Sequence, residues 1–141
     1  MNERTANATI TIDVPAAKVW EALTKPELVK QYLFGAEVIS DWKVGGPLNY
    51  RGEWEGKQYE DKGTILEINP NELLMATYFS PMSGREDKPE NYSTLTYTLS
   101  ETSGRTTLTI KQENNTSREA AEQSKKNWNM ILQAIKKLLE N

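Results

Sequence analysis

The chain has 141 residues, a formal net charge of −3, and neither cysteine nor histidine. Those absences exclude disulfides, thiolate nucleophiles, Cys-ligated zinc or iron–sulfur centres, Ser-His-Asp and Cys-His machinery, and the commonest general base at neutral pH. With 37% hydrophobic and 26% charged residues and a mildly acidic balance, the composition suits one globular domain, expected over residues 1–141, with no pull toward nucleic acid.

The N-terminal "ATITIDV" alternates Ile10 and Ile12 with threonines, the period-2 mark of a half-buried strand. "PAAKVWEAL" then switches to helical spacing through Val19, Trp20 and Leu23, with Pro15 suited to open the helix. In "TKPE" Thr24 and Glu27 have the spacing of a capping box for a second short helix, "ELVKQYL", expected to end at Gly35. The N-terminus has no signal-peptide core, and no run approaches the roughly 18 apolar residues of a membrane span. A cytoplasmic protein is expected.

From Ala36 to Asn114 the texture changes to short alternating runs: "EVI", "PLNYRGEW", "QYEDKGTILEI", "LLMATYFS", "YSTLTYTLS" and "TTLTIKQE". Turn residues in "VGGP", "EGK", "NPNE" and "TSGR" separate them, so hairpins between antiparallel neighbours are expected. "VGGP" lacks the further glycines of a phosphate loop and reads as a turn. Gly52 and Gly63 are expected to permit curvature or a bulge. The long polar connection from Ser80 to Asn91 is near the length at which a loop is usually functional.

"TSREAAEQSKKNWNMILQAIKKLLEN" closes the chain as a long helix, with Thr116 and Glu119 spaced as a capping box. Trp128, Ile131, Leu132, Ile135, Leu138 and Leu139 form one apolar stripe, and Lys125, Lys126, Lys136 and Lys137 a solvated face.

One first strand, two short helices, six further strands and a terminal helix bury their apolar faces if the sheet curls around that helix. In "PLNYRGEW" Leu48, Tyr50, Gly52 and Trp54 share the inward face, and Asn49, Arg51, Glu53 and Glu55 the outward one. The acids Glu53, Glu55, Glu60, Asp61 and Glu67 read as solvated surface rather than a catalytic pair. A helix about 10 Å wide does not fill a wider trough, so a gap beside it is expected.

The strings "VPAAKVWEALTKPELVKQYLFG", "DWKVGGPLNYRG", "DKGTILEINPNELLMATY", "STLTYTLSETSGRTTLTIKQEN" and "NWNMILQAIKKLLE" closely resemble, in order and spacing, the Aha1-like branch of the START-like (SRPBCC, polyketide cyclase/lipid-transfer) superfamily. The branch takes its name from homologues of the activator of the 90-kDa heat-shock-protein ATPase. The resemblance covers Ala8 to Glu140 and implies an α+β helix-grip fold: a curved seven-stranded antiparallel sheet around a long C-terminal helix, with two short helices after the first strand.

It also implies a cavity between sheet and long helix that holds an apolar or polyaromatic small molecule, lipid-like, flavonoid-like or polyketide-like, and a stress-related role. A cyclase- or hydrolase-type enzyme is the alternative, and would need an ionisable group buried in the cavity. Candidate lining residues are Tyr32, Leu48, Tyr50, Trp54, Tyr78, Tyr97, Trp128 and Leu132. The family often carries Trp where Tyr32 stands, so a more polar end of the cavity is expected there. No cofactor or metal is called for. A chaperone-interacting protein is the further alternative, made doubtful because the eukaryotic activator's separate N-terminal domain has no counterpart in this sequence. A monomer or weak dimer is expected.

Overall fold

A computed structural model describes residues 4–81 and 84–140, with every side chain in those spans except that of Trp54. Eight strands are present: β1 (Ala6–Ile12), β2 (Glu37–Ser40), β3 (Leu48–Trp54), β4 (Lys57–Asp61), β5 (Ile65–Asn69), β6 (Leu73–Tyr78), β7 (Ser93–Thr102) and β8 (Arg105–Glu113). Among the described residues three α-helices accompany them, α1 (Ala16–Thr24) and α2 (Pro26–Tyr32) after β1 and α3 (Arg118–Glu140) at the end, with a short 3-10 turn at Pro89–Asn91 before β7.

The strands form a five-stranded sheet in the order β1-β8-β7-β6-β5 and a three-stranded sheet in the order β2-β3-β4, antiparallel throughout. The expected single sheet of seven is corrected here, because "QYEDKGTILEI" is two strands. The break falls at Gly63, where a Cβ would stand 1.8 Å from the Thr77 carbonyl oxygen. Only glycine lets the two backbones come so close.

The crease is still held by hydrogen bonds. Lys62 and Phe79 exchange two backbone bonds of 2.9 and 2.8 Å, the Leu48 N–H donates to Gly63 O at 3.0 Å, and the Ile65 N–H donates to Gly46 O at 2.9 Å. The two sheets are therefore one antiparallel surface bent sharply along this line. The bulge lies between Ile65 and Glu67, with Leu66 turned outward and 44% exposed. Gly52 has another use: a Cβ there would lie 2.6 Å from the Tyr59 hydroxyl, so the glycine makes room for that ring.

Two hairpins show how short turn signals fix the register. Glu55 and Gly56 have φ of 51° and 82°, and Ser103 and Gly104 have 54° and 78°. Both pairs make two-residue loops of the kind whose twist matches the flanking strands. Glu55 therefore sits in a turn rather than on the strand face shared with Glu53.

The helix ends differ from the capping boxes expected. Lys25 is the N-cap of α2 and Pro26 follows at its first position, while the Thr24 hydroxyl donates back to Trp20 O at 2.8 Å and closes α1. At α3 the Ala120 N–H donates to Ser117 Oγ at 3.1 Å, so the cap is Ser117 rather than Thr116. After α2, Phe34 and Gly35 take φ of 54° and 86°, and the Gly35 N–H donates to Lys30 O at 2.9 Å. That turn ends the helix at Tyr32 and sends the chain into β2.

The core joins one face of each layer: Ile12, Val19, Val29, Ile65, Leu74, Leu108, Ile110, Leu132 and Ile135 have 1% or less of their surface exposed. From α3, the buried Leu132 and Ile135 meet Trp128, Ile131, Leu138 and Leu139, which pack against that cluster while partly exposed. Lys136 is not merely solvated: its Nζ donates to Thr11 O at 2.8 Å and pairs with Glu140 at 2.7 Å, fastening the end of α3 to β1. α3 runs mainly along β1. The trough over β3, β4, β6 and β7 is left less filled.

Candidate functional site

That unfilled part of the trough is a cavity of about 330 Å³. Its wall is assembled by strand register. Leu74, Tyr97 and Ile110 are direct partners across β6, β7 and β8, and Ala76, Leu95 and Gln112 form the next inward row. Tyr50 opposes Asp61, and Gly52 opposes Tyr59, across β3 and β4. α3 contributes Ser124, Asn127, Trp128, Ile131 and Ile135. Leu23, Leu33, Phe34 and Ala36 close the side formed by the short helices and the turn after them, with Phe34 76% exposed on the rim.

Of the residues expected from sequence, Tyr32, Tyr50, Tyr78, Tyr97 and Trp128 are all on this wall. Leu48 and Leu132 are buried in the core cluster behind it and are not wall residues. The side chain of Trp54 lies outside the described residues. Among the described residues, none of the Ser80–Asn91 connection lines the cavity.

The polar atoms of the wall are arranged in a definite way. The Tyr32 hydroxyl donates to Ala22 O at 2.8 Å, satisfying one of the carbonyls left over at the end of α1. Tyr32 therefore does not make its end of the cavity more polar, because its one polar atom is engaged elsewhere. The Tyr97 ring meets Trp128 edge to face, centroids 6.0 Å apart and planes at 90°. Trp128 Nε1–H donates to Gln112 Oε1 at 2.8 Å, fixing the indole against β8.

Asp61 is the feature that sequence reading missed. It was assigned to the solvated acids, yet it lies half-buried on the cavity wall, where the Tyr78 hydroxyl donates to its Oδ2 at 2.8 Å. Its Oδ1 is shielded from water and accepts no hydrogen bond. Parity in "QYED" carries the signal: Asp61 falls two residues after Tyr59, on the same strand face, opposite Tyr50. Glu60, between them, turns outward to Arg51 and Asn49.

Desolvation sets the acid–base character of the site. Burial pushes the Asp61 carboxyl above its usual range, opposed by the hydrogen bond from Tyr78. Burial also lifts the Tyr32 and Tyr97 hydroxyls well above 10, and brings Tyr50 to about 12 against the lowering effect of the neighbouring Tyr97. Tyr78 is raised by burial first and by the Asp61 charge second. All the wall phenols are neutral near pH 7, and among the described residues Asp61 is the one acid on a wall without lysine or arginine. Among the described residues no group of three or more acids could hold a metal, and no helix is long and apolar enough to cross a membrane.

Comparison with known proteins places this arrangement. ChR145 from Cytophaga hutchinsonii, a solution structure, is 44% identical with a TM-score of 0.85, over 97% of this chain and 94% of that one. DynU16, a protein in the dynemicin biosynthetic locus, has a TM-score of 0.80 at 18% identity, over 98% of this chain and 48% of its own. The Aha1 dimer from Colwellia psychrerythraea has a TM-score of 0.72 at 18% identity, over 96% of each chain. The last two likenesses concern the fold alone. No curated protein matches the sequence. The profile of the family described as "Activator of Hsp90 ATPase homolog 1-like protein" matches residues 13–140. Nearly the whole chain is covered by that match, and the protein belongs to this family, the Aha1-like branch of the START-like superfamily.

Proposed function

We propose that the protein is a small-molecule binding module whose cavity holds an apolar or polyaromatic ligand between the sheet and α3. The observation that carries this reading is the wall itself: about 330 Å³ of space bordered by Tyr50, Tyr59, Tyr78, Tyr97 and Trp128, with few polar groups. Ligand sites are of this kind, mostly apolar and aromatic with a small number of placed polar atoms, and begin near this volume. Tyr50, Tyr78, Tyr97 and Trp128 would contact the ligand, Tyr32 would close one end, and Leu48 and Leu132 would support the wall from behind.

A bicyclic aromatic alcohol such as naphthylmethanol tests it. Titration should change Trp fluorescence saturably and raise the melting temperature, because anything that binds only the folded state stabilises it. No response to this compound or to a flavonoid and lipid panel would refute the reading.

Proton-transfer catalysis is a second reading, favoured by the pairing of Asp61 with Tyr78 on the wall, since a buried acid in the cavity is what such an enzyme requires. It predicts that the protein accelerates exchange of the α-protons of a bicyclic aromatic ketone with deuterated water, and that Asp61→Asn abolishes the acceleration. Exchange at the uncatalysed rate would exclude it for that substrate class.

A further inference from the structure

The proposed ligand site contains a negative charge that nothing on its own wall neutralises. Among the described residues Asp61 is the wall's one charged side chain: its Oδ2 takes the Tyr78 hydroxyl at 2.8 Å, and its Oδ1, sealed within the wall, has no partner of its own. Nearby cations are committed elsewhere. Lys62, the next residue along, pairs with Asp87, and Arg51 pairs with Glu60 on the outer face of β3 and β4. A carboxylate withdrawn from water without a cation is costly, and natural sites usually supply its partner.

Tyr50 stands opposite Asp61 across β3 and β4, Tyr59 precedes it by two residues on the same strand face, and Tyr78 is bonded to it, while Tyr97 and Trp128 line the same cavity. Aromatic faces attract cations, and an ammonium among several rings beside one carboxylate is bound by both forces in the same direction. The same wall repels an anion, because it offers a fatty-acid or other carboxylate headgroup no positive partner and one like charge.

We propose that the ligand is an amine: a flat or apolar body with a single protonated nitrogen that sits against Asp61. This rests on the reading of the cavity as a ligand site, and goes beyond it by assigning the charge of the ligand. A neutral ligand would leave the charge uncompensated. A carboxylate ligand would meet repulsion.

The test is a matched series of naphthylmethylamine, naphthylmethanol and naphthoate, titrated calorimetrically into the wild-type protein at neutral pH. The amine should bind roughly tenfold or more tighter than the alcohol, the gain expected of a charged hydrogen bond, and naphthoate weakest. In Asp61→Asn the advantage of the amine over the alcohol should fall to within about twofold. Equal binding of amine and alcohol, or a preference for naphthoate, would overturn the charge assignment while leaving the cavity reading in place. Binding of none of the three would overturn both. If Asp61→Asn fails to fold, the wild-type order of affinities decides the matter alone.

Discussion

The Tyr78 hydroxyl and the Asp61 carboxylate are hydrogen bonded at 2.8 Å across the crease, where β4 ends beside β6. The bond draws one oxygen of the acid toward the sheet. The other is left without a partner inside the wall.

Replacing Tyr78 with Phe removes the donor that holds the Asp61 carboxyl down against desolvation. The Asp61 pKa should rise further in Tyr78→Phe, observed by carboxyl-carbon NMR titration, and stability at neutral pH should fall by about 1–3 kcal/mol, the usual worth of a hydrogen bond to a charged group. An unchanged or lower Asp61 pKa would contradict the assignment.

Asp61 also gives stability a pH dependence of known sign. Its folded pKa lies above the ordinary 3.8, so between those two values the folded state binds more protons than the unfolded state, and stability falls as pH rises through that window. Asp61→Asn should therefore melt at a higher temperature than wild type near pH 7, with the difference shrinking toward pH 4. A variant equally destabilised at both pH values would show that the carboxylate is not under desolvation strain.

The tyrosines act at the other end of the scale. Tyr32, Tyr50, Tyr78 and Tyr97 all have folded pKa values raised above 10.0, chiefly by burial, so above pH 10 the unfolded chain loses phenolic protons that the folded one retains. Stability should drop steeply from about pH 10 upward, together with the appearance of tyrosinate absorbance at 295 nm in one cooperative step. Gradual ionisation in the folded protein of more than the two less buried tyrosines, Tyr59 and Tyr92, would contradict the burial of these hydroxyls.

Two glycines should behave differently. Gly63→Ala places a methyl 1.8 Å from a backbone carbonyl that cannot yield, and should cost about 3 kcal/mol or more, enough to threaten folding. Gly52→Ala meets the outer end of the half-buried Tyr59 ring, which can swing aside, and should cost about 1 kcal/mol while changing ligand affinity. Chemical denaturation of the two variants measures the contrast.

The sequence made much of this legible, and where it misled, the cause is physical. Alternation in "PLNYRGEW" and "STLTYTLS" put Tyr50 and Tyr97 on the inner face because a strand has period two and one side must be buried. The apolar stripe of α3 likewise placed Trp128 opposite them. Leu48 and Leu132 share those faces, but parity separates inside from outside only. It cannot tell a side chain that meets another from one that borders empty space.

Asp61 escapes the sequence because "QYEDKGTILEI" has the texture of one strand with its acids on a wet surface. The break at Gly63 depends on a close approach to Thr77, fourteen residues away in sequence, which local pattern does not encode. The cap at Ser117 and the turn position of Glu55 were missed by one residue each, the usual uncertainty at the end of an element.

The central claim is that a ligand occupies the space between the sheet and α3. Intermolecular nuclear Overhauser effects between protein and bound naphthylmethylamine test it most directly. Cross-peaks from the naphthalene protons to the rings of Tyr50, Tyr97 and Trp128 are the predicted result; contacts confined to exposed residues such as Val44 and Met130, with none to those three rings, would contradict it.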